Sequence, residues 1–413
     1  MVPEGWVKTK LGGLGKIKSG ATPLRSEGSR YFAESGYPWV KTMDLNNGEI
    51  YFTRECITET ALEETSCSLF PEGTVLVAMY GGFNQIGRTG ILTRLAAINQ
   101  AISAIQLDKN KAHPNYVLAF LNGHVNKWKR FAASSRKDPN ITRDDVLRFP
   151  ISLPPLPEQK KIAAILFTWD EAISANEDLL ANSRLRKKAL MQQLLTGKRR
   201  LPGFEREWLS TRLGDECSLV TKGTTPSSMG MGFTEKGVSF LKVESLGANG
   251  EILAKQTAFI SHETHESLKR SQLYEADLLI SIAGALGRTA IVPLRVLPAN
   301  TNQALAIVRL SPNSSIDLGF LYHSIRSDRI QKHFSEISSQ GAQANLSLQQ
   351  ISNIQVWAPE IKEQKAIAEL LSVADEETHA LEQRISNLKL QKKALMQQLL
   401  TGKKRVKVES VTA

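Results

Sequence analysis

The stretch KKALMQQLLTGK occurs twice in this 413-residue chain, at Lys187–Lys198 and again at Lys392–Lys403. The two copies are identical at every position and lie 205 residues apart. The same offset continues upstream, where EQK at 158–160 recurs at 363–365. A solenoid repeats at roughly 20 to 50 residues, whereas a unit of about 200 residues is long enough for its own core. The chain is therefore a tandem duplication of a domain-sized unit.

The earlier part of each half corresponds more loosely, with small gaps. The matching segments are SGATP (19–23) with KGTTP (222–226), NNGEI (46–50) with ANGEI (248–252), IGRTGI (86–91) with LGRTAI (286–291), and NQA (99–101) with NQA (302–304). Both halves should therefore share one scaffold, although their sequences have diverged widely.

Within each half the sequence pattern changes sharply. The first part carries turn residues and short β-rich runs such as TVLVAMY (74–80) and DLLISIA (277–283), which indicate a mixed α/β domain. Residues 158–196 contain no Gly or Pro and favour one long helix. The predicted fold class is α+β. We expect recognition-type domains at 1–155 and 199–358, long spacer helices at 156–198 and 359–405, and a flexible tail at 406–413.

Apolar residues recur in both long helices at alternating spacings of four and three, which is typical of a coiled coil. The predicted seam includes Leu166, Ile173, Leu190 and Leu194 in the first helix, and Leu371, Leu395 and Leu399 in the second. Thirty-nine residues of helix span about 58 Å. We predict that the two helices pair antiparallel as a rigid spacer with approximate two-fold symmetry. The alternative is that each helix packs only on its own domain.

Each long helix ends in TGK, where a glycine is a natural stop and the following cations complement the helix dipole. This does not explain why outward-facing residues are also identical. One partner protein docking twice would require identical surfaces, although recent duplication is the alternative. The predicted docking residues are Gln192, Gln193, Lys198, Gln397, Gln398 and Lys403.

A formal net charge of +11 suggests a polyanionic partner, most simply nucleic acid. Two DNA readers on one scaffold should share phosphate contacts and differ in base contacts. The shared candidates are Thr22, Lys41, Arg88, Thr225, Lys242 and Arg288. The differing candidates are Tyr80, Asn84, Gln85, Arg136 and Lys137 in the first half, and Gln340 and Gln343 in the second. Ordinary polar loops and internal ion pairs are the alternatives for these residues.

The sequence shows no catalytic or cofactor motif. HETH at 262–265 lacks the spacing of a zinc helix, and no GxxxxGK[ST] loop is present. Three cysteines without CxxC spacing suggest free thiols in a reducing compartment. No signal sequence or membrane-length apolar run is apparent. We expect a cytoplasmic, non-catalytic protein that binds no metal or cofactor itself.

PPLPEQKKIA (154–163), APEIKEQKAIA (358–368) and the repeated KKALMQQLLTGK resemble the specificity (S) subunits of type I restriction–modification systems, the HsdS family. The resemblance covers essentially the whole chain. It implies two target-recognition domains, each reading one half of a bipartite double-stranded DNA site, with helices that set the spacing between the halves.

The resemblance further implies that two methyltransferase (M) subunits dock on the helices, bind S-adenosylmethionine and methylate adenine. Restriction (R) subunits, two where present, would add cleavage driven by ATP and Mg²⁺. The alternative that the residues leave open is a free-standing architectural protein that bridges DNA with two binding heads.

Overall fold

The computed structural model describes residues 3–82, 84–132, 140–339 and 345–408. The chain divides into two units. Unit 1 consists of Met1–Ala175 with Ile385–Ala413, and unit 2 is Asn176–Arg384. The division cuts through both long helices, so each unit contains one α/β domain, the first part of one long helix and the last part of the other.

The described residues of unit 1 form three sheets and four short α-helices. The strands are β1 (Val7–Lys10), β2 (Gly15–Ser19), β3 (Phe32–Ala33), β4 (Tyr37–Val40), β5 (Glu49–Ile50), β6 (Cys56–Ile57), β7 (Leu69–Phe70), β8 (Val75–Ala78), β9 (Thr89–Leu92), β10 (Ala96–Ile98), β11 (Ile102–Leu107) and β12 (Pro150–Leu153). The short helices are α1 (Glu59–Glu64), α2 (Pro114–Gly123), α3 (Val125–Ala132) and α4 (Arg143–Arg148). The sheet orders are β2-β11-β8-β9-β5, β3-β6-β4-β10-β7 and β1-β12.

The first long helix, α5 (Leu156–Leu194), leads from unit 1 into unit 2. The strands that follow it are β13 (Leu209–Arg212), β14 (Cys217–Lys222), β15 (Val238–Leu241), β16 (Ala258–Ile260), β17 (Gln272–Leu273), β18 (Leu278–Ser281), β19 (Thr289–Ile291), β20 (Ala299–Thr301), β21 (Leu305–Leu310) and β22 (Gln355–Ala358). The helices are α6 (His262–Ser267), α7 (Leu318–Ile325), α8 (Asp328–Ser339), α9 (Leu348–Ser352) and the second long helix, α10 (Ile361–Leu399).

The described sheets of unit 2 repeat those of unit 1, with one strand fewer in each of the two larger sheets. Their orders are β14-β21-β18-β19, β16-β15-β20-β17 and β13-β22. The β-rich runs noted in the sequence form β8 and β18, each of which is buried along its whole length in the middle of its sheet. Such strands are apolar on both faces because each face packs against other elements. The predicted fold class, two similar mixed α/β domains with two long helices, is confirmed.

Residues of the long helices lie antiparallel within each unit. In unit 1 the Lys392 ammonium bonds the Asp170 carboxylate, and in unit 2 Lys187 bonds Asp375 in the same way. A further ion pair links the helices in unit 2, where Arg184 Nη2 lies 2.6 Å from Glu382 Oε1. Lys187 follows Arg184 in α5, whereas its partner Asp375 precedes Glu382 in α10. The two helices therefore run antiparallel, as the sequence predicts.

The predicted seam residues lie on the inner side of the helices. Leu166, Ile173, Leu194, Leu371 and Leu399 are buried. Leu190 and Leu395 are half-buried and pack against the cores of unit 2 and unit 1 respectively. Polar seam positions are buried as well: Asn176, Ser183 and Thr378.

Each copy of KKALMQQLLTGK closes the core of the domain in its own unit. Leu399 and Leu400 join the core of unit 1, which also contains Phe120 and Phe149. Leu194 and Leu195 join the corresponding core of unit 2. The domain in unit 1 is therefore completed by a helix end that lies more than 230 residues further along the chain.

The long helices end at Leu194 and Leu399, earlier than the expected bounds of 198 and 405, and each ends three residues before the glycine of its TGK segment. Gly197 and Gly402 have φ values of 69° and 70°, the left-handed conformation that glycine adopts most readily at a helix C-terminus. The amides of Arg199 and Lys404 then return to the carbonyls of Gln193 and Gln398. Just beyond the stops, Val406 packs against the core of unit 1, so this first residue of the expected tail is partly buried.

Candidate nucleic-acid interface

Two loops that both domains share meet at one sheet edge in unit 1. β4 and β10 run parallel, with Val40 opposite Ile98, so the residues after both strands emerge at the same edge. The Ala21 amide donates to the Ile98 carbonyl, and the Thr22 hydroxyl donates to the side-chain oxygen of Gln100. We name this edge, where β4 and β10 end, the loop edge.

The same arrangement recurs in unit 2. β15 and β20 run parallel with Leu241 opposite Thr301, and the Thr224 amide donates to the Thr301 carbonyl at 3.1 Å. The Thr225 hydroxyl donates to the side-chain oxygen of Gln303. Each unit therefore has a loop edge with an exposed Thr–Gln pair, although most of the domain sequence around it has changed.

A glycine makes the close contact of these loops possible. A Cβ on Gly20 would lie 2.1 Å from the Ile98 carbonyl oxygen, and one on Gly223 would lie 2.0 Å from the Thr301 carbonyl oxygen. Any side chain would push the loops apart. This explains why both SGATP and KGTTP carry glycine two residues before the threonine.

Lys41 and Lys242 directly follow β4 and β15, so both lie at their loop edges. Lys41 is bonded to Glu55, whose other carboxylate oxygen lies 2.7 Å from Arg25 Nη1. The Lys41 ammonium, assisted by Arg25, lowers the pKa of Glu55. Lys242 instead has its Nζ 4.3 Å from the ring centroid of Phe233. A phosphate at Lys41 would therefore compete with a carboxylate, whereas no carboxylate among the described residues pairs with Lys242.

The loop after β8 also reaches the loop edge of unit 1. The Met79 amide donates to the Ala101 carbonyl at 2.8 Å, and Gln85 Nε2 lies 3.2 Å from Met43 Sδ. Two other predicted residues of this loop, Tyr80 and Asn84, are exposed. The structure thus brings Thr22, Lys41 and Gln85 onto neighbouring loops of one edge.

The two predicted arginines follow glycines with positive φ, Gly87 at 76° and Gly287 at 75°. Arg88 is half-buried. Arg288 is exposed, and its Nη1 donates to the Leu246 carbonyl at 3.2 Å, so it also braces the neighbouring turn. A contact of either arginine with phosphate remains a prediction.

Arg136, Lys137, Gln340 and Gln343 lie outside the described residues. The described residues that follow these two segments along the chain bind the residues just after β8 and β18. The Ile141 amide donates to the Met79 carbonyl, and the Leu346 amide donates to the Ile282 carbonyl in the same way. A role in reading bases for the four undescribed residues remains a prediction.

The glutamate–glutamine pair at the start of each long helix joins the helix to its domain. Gln159 accepts from the His113 amide and donates to the Lys111 and Pro154 carbonyls, and Gln364 makes the equivalent contacts in unit 2. Glu158 accepts a two-pronged hydrogen bond from Arg405, as Glu363 does from Arg200. The matching EQK segments signalled these residues, but the sequence did not give their partners.

The predicted docking glutamines are all exposed. Gln192 donates to Asp328 of its own unit at 3.0 Å. Gln397 lines a cavity of about 340 Å³ in unit 1, together with Asn122 and Lys393. Lys198 and Lys403 are also exposed. Internal contacts therefore explain part of the identity between the two copies of the motif. In the described part of the chain, the exposed side chains of Gln193 and Gln398 make no such contact.

Within the described residues no group of acidic, histidine and cysteine side chains is arranged to hold a metal ion. The same part of the chain contains no helix with the length and apolar character needed to cross a membrane. The three cysteines are free, and burial raises the pKa of the Cys217 thiol to about 12.

Comparison with known protein families shows the family of this chain. The model of the type I restriction modification DNA specificity domain matches residues 3–182 and again residues 205–390. The chain belongs to this family. The two matches coincide with the two halves of the duplication, so both halves are specificity domains.

Relatives of this specificity-domain chain extend over almost its whole length. The type I restriction enzyme MjaVIII specificity subunit of Methanocaldococcus jannaschii is 24% identical over 98% of this chain and 94% of that protein. The EcoBI specificity subunit of Escherichia coli is 24% identical over 97% of this chain and 85% of that protein.

Solved structures agree with the fold. The crystal structure of a type I restriction–modification S subunit from M. genitalium aligns with a TM-score of 0.64 at 15% identity, over 95% of this chain and 96% of that one. A chain from a structure on assembly and conformational transition of the type I R-M system aligns with a TM-score of 0.59 at 18% identity, over 97% and 98%. At these identities the likeness concerns the fold.

Proposed function

We propose that this chain is the DNA-recognition subunit of a type I restriction–modification complex, and that each domain reads one half of a bipartite site through its loop edge. The observation that carries this proposal is the repeated Thr–Gln pair beside Lys41 and Lys242. Conserved scaffold contacts beside divergent loops are what two readers of different half-sites require. The net charge of +11 favours DNA at physiological salt.

The catalytic chemistry belongs to partner subunits in this proposal. Two methyltransferase subunits would dock on the long helices, bind S-adenosylmethionine and methylate adenine, and restriction subunits would supply cleavage driven by ATP and Mg²⁺. Family membership supports a specificity role rather than an enzymatic one for this chain. The complex would act in the cytoplasm, where its DNA substrate is found.

An exposed helix face supports the docking part of the proposal. Leu185 is 67% exposed in unit 2, and its equivalent Leu390 is 63% exposed in unit 1. On α5 the exposed residues Ala189 and Gln193 follow at intervals of four, so they share a face with Leu185. The same residue types follow Leu390 on α10. An apolar residue kept exposed at both equivalent positions is best explained by a partner that covers each of them.

The proposal is tested by co-expressing the chain with its methyltransferase subunits, purifying the complex and mapping methylated adenines in the genome. The wild-type chain should bring down methyltransferase and direct methylation to one bipartite sequence. Leu185→Asp with Leu390→Asp should reduce co-purification at least tenfold, because two charges would be placed in an apolar contact.

Leu179→Asp is the matched control, since Leu179 is an exposed leucine on α5 whose counterpart on α10 is Arg384. This variant should assemble normally. DNA binding by the wild-type chain with neither methyltransferase assembly nor methylation would instead indicate the architectural, DNA-bridging function.

A further inference from the structure

Both loop edges carry a short 3₁₀ turn directly after the shared lysine. The turns are Thr42–Asp44 in unit 1 and Val243–Ser245 in unit 2. Their position after β4 and β15 places them beside the Thr–Gln pairs. The central residues are Met43 and Glu244, which differ completely in chemistry.

The backbones of the two turns are held by the same contacts. The amide of Lys41 donates to the Asp44 carboxylate at 2.8 Å, and the amide of Lys242 donates to the Ser245 hydroxyl at 3.0 Å. In both turns the last residue also donates its amide to the lysine carbonyl at 2.9 Å. The turns therefore present their central side chains from equivalent positions.

Neither central side chain is buried in the core. Met43 is 52% exposed, and its sulfur contacts Gln85 of the neighbouring loop. Glu244 is exposed, and within the part of the chain that the structure describes its carboxylate has no hydrogen bond or ion pair. An exposed methionine costs solvation free energy, and an unpaired carboxylate repels phosphate. A purely structural or phosphate-binding turn would favour neither residue.

We propose that Met43 and Glu244 are specificity-determining residues, each reading one base pair in the major groove of its half-site. This inference rests on the proposed function. The Met43 side chain suits apolar contact with the C5-methyl group of thymine, and the Glu244 carboxylate accepts a hydrogen bond from the N4 amine of cytosine. A carboxylate close to DNA phosphates favours binding only when it accepts a hydrogen bond from such an amine donor.

Exchange of the two residues tests the inference in the full complex. Met43→Glu and Glu244→Met are each co-expressed with the methyltransferase subunits, and the methylated sequences are mapped across the genome. Met43→Glu should weaken the thymine preference at one position of one half-site. Glu244→Met should weaken the cytosine preference at one position of the other half-site. Each loss of discrimination should be on the order of tenfold or more.

Matched controls lie at the opposite ends of the strands. Glu235 is exposed before β15, and Leu95 is exposed before β10. Glu235→Met and Leu95→Glu carry the same chemical changes and should leave both half-sites unaltered. Melting temperatures of all four variants should match the wild type, because every substituted side chain is exposed.

Several outcomes would overturn the inference. Unchanged half-sites in both exchange variants would do so, as would changes that fall in the same half-site. If Glu244→Met abolishes methylation, the milder Glu244→Gln is scored by sequencing the DNA that its complex retains from a random duplex pool, and an unaltered cytosine preference there would also overturn it. Absence of sequence-specific methylation by the wild-type complex would instead refute the proposed function.

Discussion

At the residue scale, the environment of His323 on α7 shows how a polar group is accommodated under a long helix. His323 Nε2 lies 3.2 Å from the Ser372 hydroxyl, and Nδ1 lies 3.8 Å from Asp375 Oδ2. Asp375 is also bonded to Lys187 and lies 3.8 Å from Arg326. Burial lowers the pKa of His323 to about 4, with Asp375 opposing the change.

This pKa predicts a pH dependence for the stability of the domain. Between the ordinary value of about 6.5 and about 4, the unfolded chain binds a proton that folded His323 does not. The free energy of unfolding should therefore be undiminished above pH 6.5 and fall by about 3 kcal/mol as the pH drops toward 4. Denaturant titrations between pH 4 and pH 7 should show that the free energy of unfolding of His323→Gln depends less steeply on pH than that of the wild type. His262→Gln, at an exposed histidine, should keep the wild-type slope.

At the element scale, the long helices combine a coiled-coil seam with specific polar contacts at matched positions. Lys187 pairs with Asp375 and Lys392 with Asp170, and both pairs obey the 205-residue offset. Such contacts fix the register of the helices, because a shift by one heptad would leave partly buried lysines without a partner.

We expect helix length to set the gap between the two half-sites of the proposed bipartite site. Removal of one heptad from each long helix shortens the helices by roughly 10 Å, which corresponds to about three base pairs. We expect methylome mapping to show a shorter gap with both half-sites unchanged. A deletion restricted to one helix breaks the register and serves as the comparison. An unaltered gap in a well-folded double deletion would exclude the helices as the determinant of spacing.

At the scale of the whole molecule, each half of the duplication needs the other. Leu400 lies in the core of unit 1 and its equivalent Leu195 lies in the core of unit 2, both almost fully buried. Arg405 and Arg200 bind Glu158 and Glu363, which are themselves buried. The identical motif is thus used twice for the same task, once in each unit.

Truncation of these leucines should act on one unit at a time. Leu400→Ala should lower the stability of unit 1 by about 2–4 kcal/mol, because it leaves a cavity in that core. Hydrogen–deuterium exchange should then increase in α2 and in the first turns of α5, with α7 unaffected. Leu195→Ala is the reciprocal variant and should increase exchange in α7. Equal loss of protection in both units would contradict this division.

The sequence by itself determined the duplication, the two long helices, their glycine stops and the apolar seam. These features depend on local periodicity and on the conformational preferences of single residues, which act between near neighbours. Internal comparison also selected Thr22, Lys41 and their equivalents, which the structure brings to the loop edges.

Only the tertiary structure decided which helix end completes which core, and how the shared residues are used. Arg405 and Glu158 are 247 residues apart, and Lys41 meets Glu55 through strand pairing. Local patterns carry no information about such partners, because these contacts form only when packing brings distant segments together. For the same reason Met43 and Glu244 were not among the predicted residues, since their shared position becomes visible only when the two turns are compared in space.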